Sequence, residues 1–323
     1  MRAKYNYHHF PFAIIFFTFF LLFNFSNNKL LFAQGCSDAG FCTIGPIKAD
    51  NKLLTSKNEN GHRITFLTTI GQGDDDVFVA SPALQYDYHT KSGWNFQGRI
   101  TANYANGTLS REFDAGDIYL GVSRTKKLNS SWNITPTLSI KIPLNASNLS
   151  SNGMPLPMQY QSSLGTFDAI AGITFSDKHW QLSAGYQQSL SGENKNGFLP
   201  EFWNGKPEAN NYPPTFRFKR KGDVLMRGSR HFTAGENFSI NAGLLGIYHL
   251  GEDEYTNPFE GNLIVPINGS DGITLNVTMG AYWQASSRTR IGITGGFPLM
   301  VRDVRPDGLT RSWVIAPEIS WSF

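Results

Sequence analysis

The sequence predicts an all-β fold: a closed antiparallel transmembrane β-barrel of about 12 strands, with short periplasmic turns and longer extracellular loops. Three observations carry this expectation. Long stretches alternate between apolar and small polar residues, the connections between them sort into short and long by parity, and the last stripe runs to the final residue. SWVIAPEISWSF (312–323) puts Trp313, Ile315, Pro317, Ile319, Trp321 and Phe323 on one face, against Ser312, Val314, Ala316, Glu318, Ser320 and Ser322. Residues 273–284 and 132–144 repeat the pattern. Period-two alternation is the strand signature, and a bilayer forces such a sheet to close, because each unpaired backbone group there costs several kcal/mol. A soluble β-sandwich also alternates, but nothing in it sorts loops by parity.

From the N-terminus, residues 1–33 have the layout of a signal peptide. Arg2 and Lys4 lead, an uncharged run follows over 12–25, and Leu31-Phe32-Ala33 offers small-residue cleavage before Gln34. A transmembrane anchor is the alternative, disfavoured because the run has 14 residues where a spanning helix needs about 20. A lipoprotein signal modified at Cys36 is a third option, although the usual Leu three residues before the Cys is missing. Residues 34–61 form a periplasmic segment with the two cysteines, Cys36 and Cys42. In an exported chain these are expected to pair as a disulfide, worth roughly 2 kcal/mol on the chain-entropy account. A metal or redox role for CSDAGFC stays open, with no zinc-spaced Cys or His cluster beside it.

The barrel occupies 62–323. Twelve strands are expected at about 62–70, 77–89, 94–104, 112–126, 131–144, 164–176, 180–190, 223–234, 238–250, 271–285, 288–300 and 312–323. Even-numbered strands are followed by the short turns TKSG, KLNS, SDK, GEN and SSR, and odd-numbered ones by the longer segments, including 145–163, 191–222 and 251–270. Trp94, Trp132, Trp180 and Phe238 each follow a short turn in outward register, as one aromatic girdle. Arg124 and Arg230 also point outward, near inner strand ends where long cationic chains snorkel to the interface. The barrel contacts outer-membrane lipids, and its place is the outer membrane of a Gram-negative-type bacterium. A net charge of +3 without a basic-aromatic module argues against nucleic acid as a partner.

Phe323, with Trp321 two residues before it, resembles the recognition signal of the barrel-assembly machinery, which is thereby an expected partner. GDIYLGV (116–122), SLGTFDAIAGI (163–173) and FPLMVRDVRPDGLTRSWVIAPEISWSF (297–323) resemble the outer-membrane transporter family named for the meta-pathway of phenol degradation, over roughly 61–323. The resemblance implies passage or sensing of small compounds, aromatic ones among them, and carries over no catalytic or ligand residue. The cysteine-bearing segment departs from it, and the signal is in the style of Bacteroidetes-like bacteria.

The inward register receives Arg63, Asp87, Arg99, Asp117, Lys141, Asp168, Arg227, His231, His249, Arg290 and Glu318. Arg99, Asp117, Lys141, Asp168, Arg227 and Glu318 are the candidates for a constriction. Arg99 and Asp117 lie symmetrically about position 108 and should be direct or near cross-strand neighbours. Lys141 and Asp168 fall near the outer ends of strands 5 and 6. Two readings stay open: ion pairs bracing a wet lumen, or a constriction that selects a small-molecule solute. Twelve strands lie between the about 8 that side chains fill and the 16 or more of an open channel, so the pore should be narrow or gated. The 191–222 loop is long enough to fold in as a lid; the alternative for its basic run 217–221 is to rest on anionic lipid phosphates, the commoner use of such a run. GEDE (251–254) reads as a solvated acidic tip. No cofactor, metal motif or nucleophile elbow is present, so no enzyme is expected. The alternatives to a passive channel are a structural or adhesive barrel and, more remotely, a hydrolase built on a Ser, a His and an orienting partner.

Overall fold

A computed structural model describes residues 61–308 and 311–323; the signal segment and the Cys36–Cys42 pairing lie outside the described residues. Twelve antiparallel strands form the wall: β1 (Gly61–Gln72), β2 (Phe78–His89), β3 (Trp94–Asn106), β4 (Arg111–Arg124), β5 (Asn133–Pro143), β6 (Asp168–Ser176), β7 (Trp180–Ser189), β8 (Asp223–Ala234), β9 (Phe238–His249), β10 (Gly272–Gln284), β11 (Thr289–Met300) and β12 (Trp313–Ser322). Each strand pairs with its neighbours in sequence, and β1 pairs with β12 to close the ring. The seam continues to the last residue, where the Phe323 and His62 backbones exchange N–H to O bonds of 3.0 Å each and their rings stack at 5.5 Å. The stripe reaches Phe323 because that residue belongs to the sheet.

The strands match the expected set closely. The largest departure is β6, expected from 164 but beginning at Asp168: Gly165 takes a positive φ of 69°, which turns the chain off the wall. The faces follow the alternation. Ile64, Phe66, Leu84, Leu138, Ile140, Leu182, Leu244 and Ile319 are exposed on the outside, while Thr65, Gln97, Thr135, Thr174, Ser183 and Asn241 are buried inside. That is the patterning of a sheet with lipid outside and a polar interior. The fold is that of an outer-membrane barrel of a Gram-negative-type bacterium.

At the inner rim, Trp94, Trp180, Phe238, Trp283, Trp321 and Phe323 stand outward. The two outward arginines cover this girdle, Arg124 at 5.0 Å from the Trp94 ring and Arg230 at 5.3 Å from Trp180 and from Phe232. The inner turns are short, and a two-residue segment, Lys126–Lys127, pairs with β5 in one of them. The outer rim carries the long connections.

Candidate functional site: the lumen and its extracellular cover

Pairing register places several of the inward residues in one row. Gln85 lies opposite Arg99, Arg99 opposite Tyr119, Tyr119 opposite Lys141, and Lys141 opposite Asp168. Lys141 Nζ sits 2.8 Å from Asp168 Oδ2, with both side chains almost fully buried. The pair is hydrogen-bonded further: Gln187 Nε2 donates to Asp168 Oδ2 at 2.6 Å and Thr166 Oγ1 donates to Asp168 Oδ1 at 2.7 Å. Partners of this kind offset part of the cost of taking the two charges out of water.

Arg99 and Asp117 are near neighbours, but they are not opposite one another. Register shifts between Ile100 and Ala102, so that β3 advances two residues while β4 advances three, and Tyr119 takes the place across from Arg99. Asp117 is the next inward residue along β4, where Tyr119 Oη donates to its Oδ2 at 3.4 Å. Arg227 lies opposite Ser183 and Leu245, and Glu318 opposite Leu67 and Gly292, both away from this row. Arg63 faces Asp87 directly across β1 and β2. Asn276, inside β10 and 1% exposed, has neither amide atom bonded to protein among the described residues, and the Thr137 and Ser139 hydroxyls are alike in this. Dry polar groups of this kind are costly, whereas a hydrated interior satisfies them.

The connection between β5 and β6 folds onto the inner wall, which the sequence reading did not anticipate. Ser163 Oγ donates to Asp117 Oδ1 at 2.6 Å, Asn103 Nδ2 donates to the Ser162 carbonyl, and Asn145 Nδ2 donates to the Ala115 carbonyl at 2.6 Å. The loop thereby brings its backbone against β3 and β4 beside the charged row.

Above this point the β5–β6 and β7–β8 connections pack into one body. Leu156, Tyr160, Phe198, Trp203, Ala209 and Tyr212 form an apolar cluster with Val77, Val79, Ala105 and Leu109 at the outer ends of β2 and β3. Asn196 organises it: its Nδ2 donates to the Ser147 and Leu156 carbonyls at 3.0 Å each, and its Oδ1 accepts from Thr215 Oγ1 at 2.8 Å. Trp203 Nε1 donates to the Pro155 carbonyl at 2.7 Å. Burial and the neighbouring Tyr160 hydroxyl push the Tyr212 phenol well above its ordinary value. Gly308, in the β11–β12 connection, has a φ of 67°, and a Cβ there would meet the Met158 carbonyl carbon at 2.6 Å. A side chain at that position would push two loops apart.

The basic run 217–221 meets acidic side chains. Arg217 pairs with Glu193, Lys219 Nζ lies 3.1 Å from Glu254, Lys221 Nζ 2.5 Å from Glu254, and Arg220 Nη2 2.6 Å from Asp223. GEDE is a solvated tip in part: Asp253 within it is fully buried. Burial raises the Asp307 carboxyl, but the Arg302 and Arg220 guanidiniums outweigh it and hold the group well below the usual carboxylate range.

A closed, apolar-faced barrel with loops drawn over a polar interior is the architecture of outer-membrane channels as a class of fold. An outer membrane channel from Pseudomonas putida F1 is similar to it, at a TM-score of 0.58 and 9% identity, covering 85% of this chain and 100% of that one. The NanC porin aligns at a TM-score of 0.46 and 10% identity over 80% of this chain and 98% of that one. The TodX monoaromatic hydrocarbon channel, as a deletion mutant, aligns at 0.43 and 11% identity over 90% and 97%. At these identities the likeness is one of fold. No family model matches the sequence, and no curated protein does.

Proposed function

We propose that the protein is a passive outer-membrane channel for a small solute of apolar or aromatic character, acting without a cofactor and without catalysis. The carrying observation is the row Arg99, Tyr119, Lys141, Asp168 across four adjacent strands, with Asp117 beside it under the Ser163 hydroxyl of an inward-folded loop. Fixed charges of both signs in a lumen narrowed by a loop shape the field that a solute must cross. Tyr119 supplies an aromatic surface in the same row. The fold likeness to a solved outer membrane channel supports passage, and the resemblance of 116–122, 163–173 and 297–323 to the phenol meta-pathway family supports an aromatic solute. Arg227 and Glu318 lie off the row and are assigned a bracing role.

Single-channel recording of refolded protein under a salt gradient tests the reading. Wild type should conduct, and Asp117→Lys should shift the reversal potential toward anion selectivity while the barrel still assembles, since lumen substitutions mainly tune selectivity. The double change Arg99→Asp with Asp117→Lys should bring it back. Ohmic current untouched by Asp117→Lys would move the constriction away from this row. Assembled protein without conductance would favour the structural or adhesive barrel.

A further inference from the structure

A second buried cluster of charge lies under the long loops. Asp223 begins β8 and His249 ends β9, directly opposite one another. His249 Nδ1 is 2.7 Å from Asp223 Oδ1, and its Nε2 is 2.8 Å from Asp253 Oδ1 in the β9–β10 connection. Arg220 of the β7–β8 connection reaches Asp223 Oδ2 at 2.6 Å and Asp307 Oδ2 at 3.1 Å. Arg302 and Asp307 come from the β11–β12 connection: Arg302 Nη2 is 2.9 Å from Asp307 Oδ2, and its Nη1 donates to the Ser270 carbonyl at 2.6 Å and lies 4.0 Å from Asp253 Oδ2. All six charged side chains are buried. Lys219, Lys221 and Glu254 lie at the more exposed edge.

The geometry decides the protonation state. A neutral imidazole has one N–H and one lone pair, so it can donate to one carboxylate and must turn its lone pair on the other. The imidazolium donates to both. Charge counting agrees, since three carboxylates (Asp223, Asp253, Asp307) face two guanidiniums (Arg220, Arg302), and the cluster balances with a positive His249. Loss of that proton leaves one uncompensated negative charge away from water, which is strongly destabilising.

We propose that His249 is a protonation-controlled pin that holds the β7–β8, β9–β10 and β11–β12 connections over the barrel mouth and releases them when its proton is lost to an alkaline medium. The same three connections, with Met158 and Leu164 of the β5–β6 connection, share a small apolar cluster that includes Phe218 and Ile267, with Val304 packed against it, so release at the pin loosens a unit. The consequence for passage rests on the channel reading; the pin itself does not.

Limited proteolysis of the full barrel in vesicles, at neutral and alkaline pH and scaled to an unstructured reference peptide, reads the pin without reference to conduction. Cleavage in the three connections should rise at least about tenfold on going alkaline, the lower bound being one lost charge-assisted hydrogen bond. His249→Gln, which cannot carry the charge, should be cleaved fast at both pH values. Asp253→Asn, which removes one of the two carboxylates that favour the imidazolium, should move the midpoint of the transition to lower pH. Equal cleavage of wild type at both pH values overturns the pin, and so does an unmoved midpoint in Asp253→Asn, which carries the test should His249→Gln fail to assemble. Open probability in single-channel recording should rise with the same midpoint as cleavage. Loops that loosen in alkali over a barrel silent at every pH would support the pin and sink the channel.

Discussion

In β10, apolar Val277 and Trp283 face outward while Thr274, Asn276 and Tyr282 face in. In the β7–β8 connection the rule is inverted: Phe198, Trp203 and Tyr212 are buried and Lys195, Glu201 and Lys206 are exposed. One chain thus meets two solvents. The wall gains from apolar side chains turned to lipid, with its backbone satisfied strand to strand. The loop body sits in water and is held by an apolar core, which touches the wall only at the outer ends of β2 and β3 through residues such as Val79 and Ala105. Changes in one region should leave the other standing.

The largest effect is expected in the loop body. Trp203→Ala removes a buried indole and its 2.7 Å bond to the Pro155 carbonyl, a change that costs about 3 to 5 kcal/mol in a packed core. Because the loop body has no strand in common with the seam, the cost should appear as local opening: rapid protease cleavage within 191–222, with heat-modifiable migration on electrophoresis kept. Loss of the folded barrel band would show that the two regions share one stability.

How far each region was legible in the sequence follows from the same difference. Wall residues are placed by a local rule of period two, so strand ends, the outward girdle and the inward position of Lys141 and Asp168 follow from neighbours in sequence. Arg99 and Asp117 are near rather than direct neighbours for two reasons: the turn is centred between Thr108 and Leu109, and β4 carries an extra residue between Ala115 and Ile118. The loop body depends on contacts such as Leu109 N–H to Tyr160 Oη at 3.1 Å, between segments far apart in sequence. A signal was present in FLPEFW and MPLPMQY, which are too apolar for solvated loops. In GEDE the burial of Asp253 follows from His249 and Ser270, whose hydroxyl accepts from the Asp253 N–H at 2.8 Å, and neither partner is marked by spacing.

The wall should answer to register in the next size of effect. Val277→Arg places a guanidinium on the lipid face and should cost about 2 to 4 kcal/mol, whereas Thr278→Arg, one residue on and turned inward, should be tolerated by the lumen. Urea unfolding in lipid vesicles measures both. Equal costs would mean that the two faces of β10 do not differ as its side chains indicate, and protease resistance of the loops should stay unchanged in either folded variant.

The smallest effect belongs to the boundary between wall and water at the inner rim. Arg230 lies 5.3 Å from both Trp180 and Phe232, and such a cation over aromatic faces at an accessible site contributes about 0.5 to 1 kcal/mol. Arg230→Gln keeps a polar group of moderate length but removes the charge, so it should lose that amount. The cationic side chain also reaches toward interfacial water and phosphate, a contribution independent of Trp180. A double-mutant cycle against the paired change Trp180→Leu with Phe232→Leu separates the two, since only the ring contacts are shared between the sites. Coupling near the full loss assigns the arginine to the girdle it covers. Coupling near zero, with the single Arg230→Gln loss intact, assigns it to the lipid headgroups, and the girdle then stands on its aromatic rings alone.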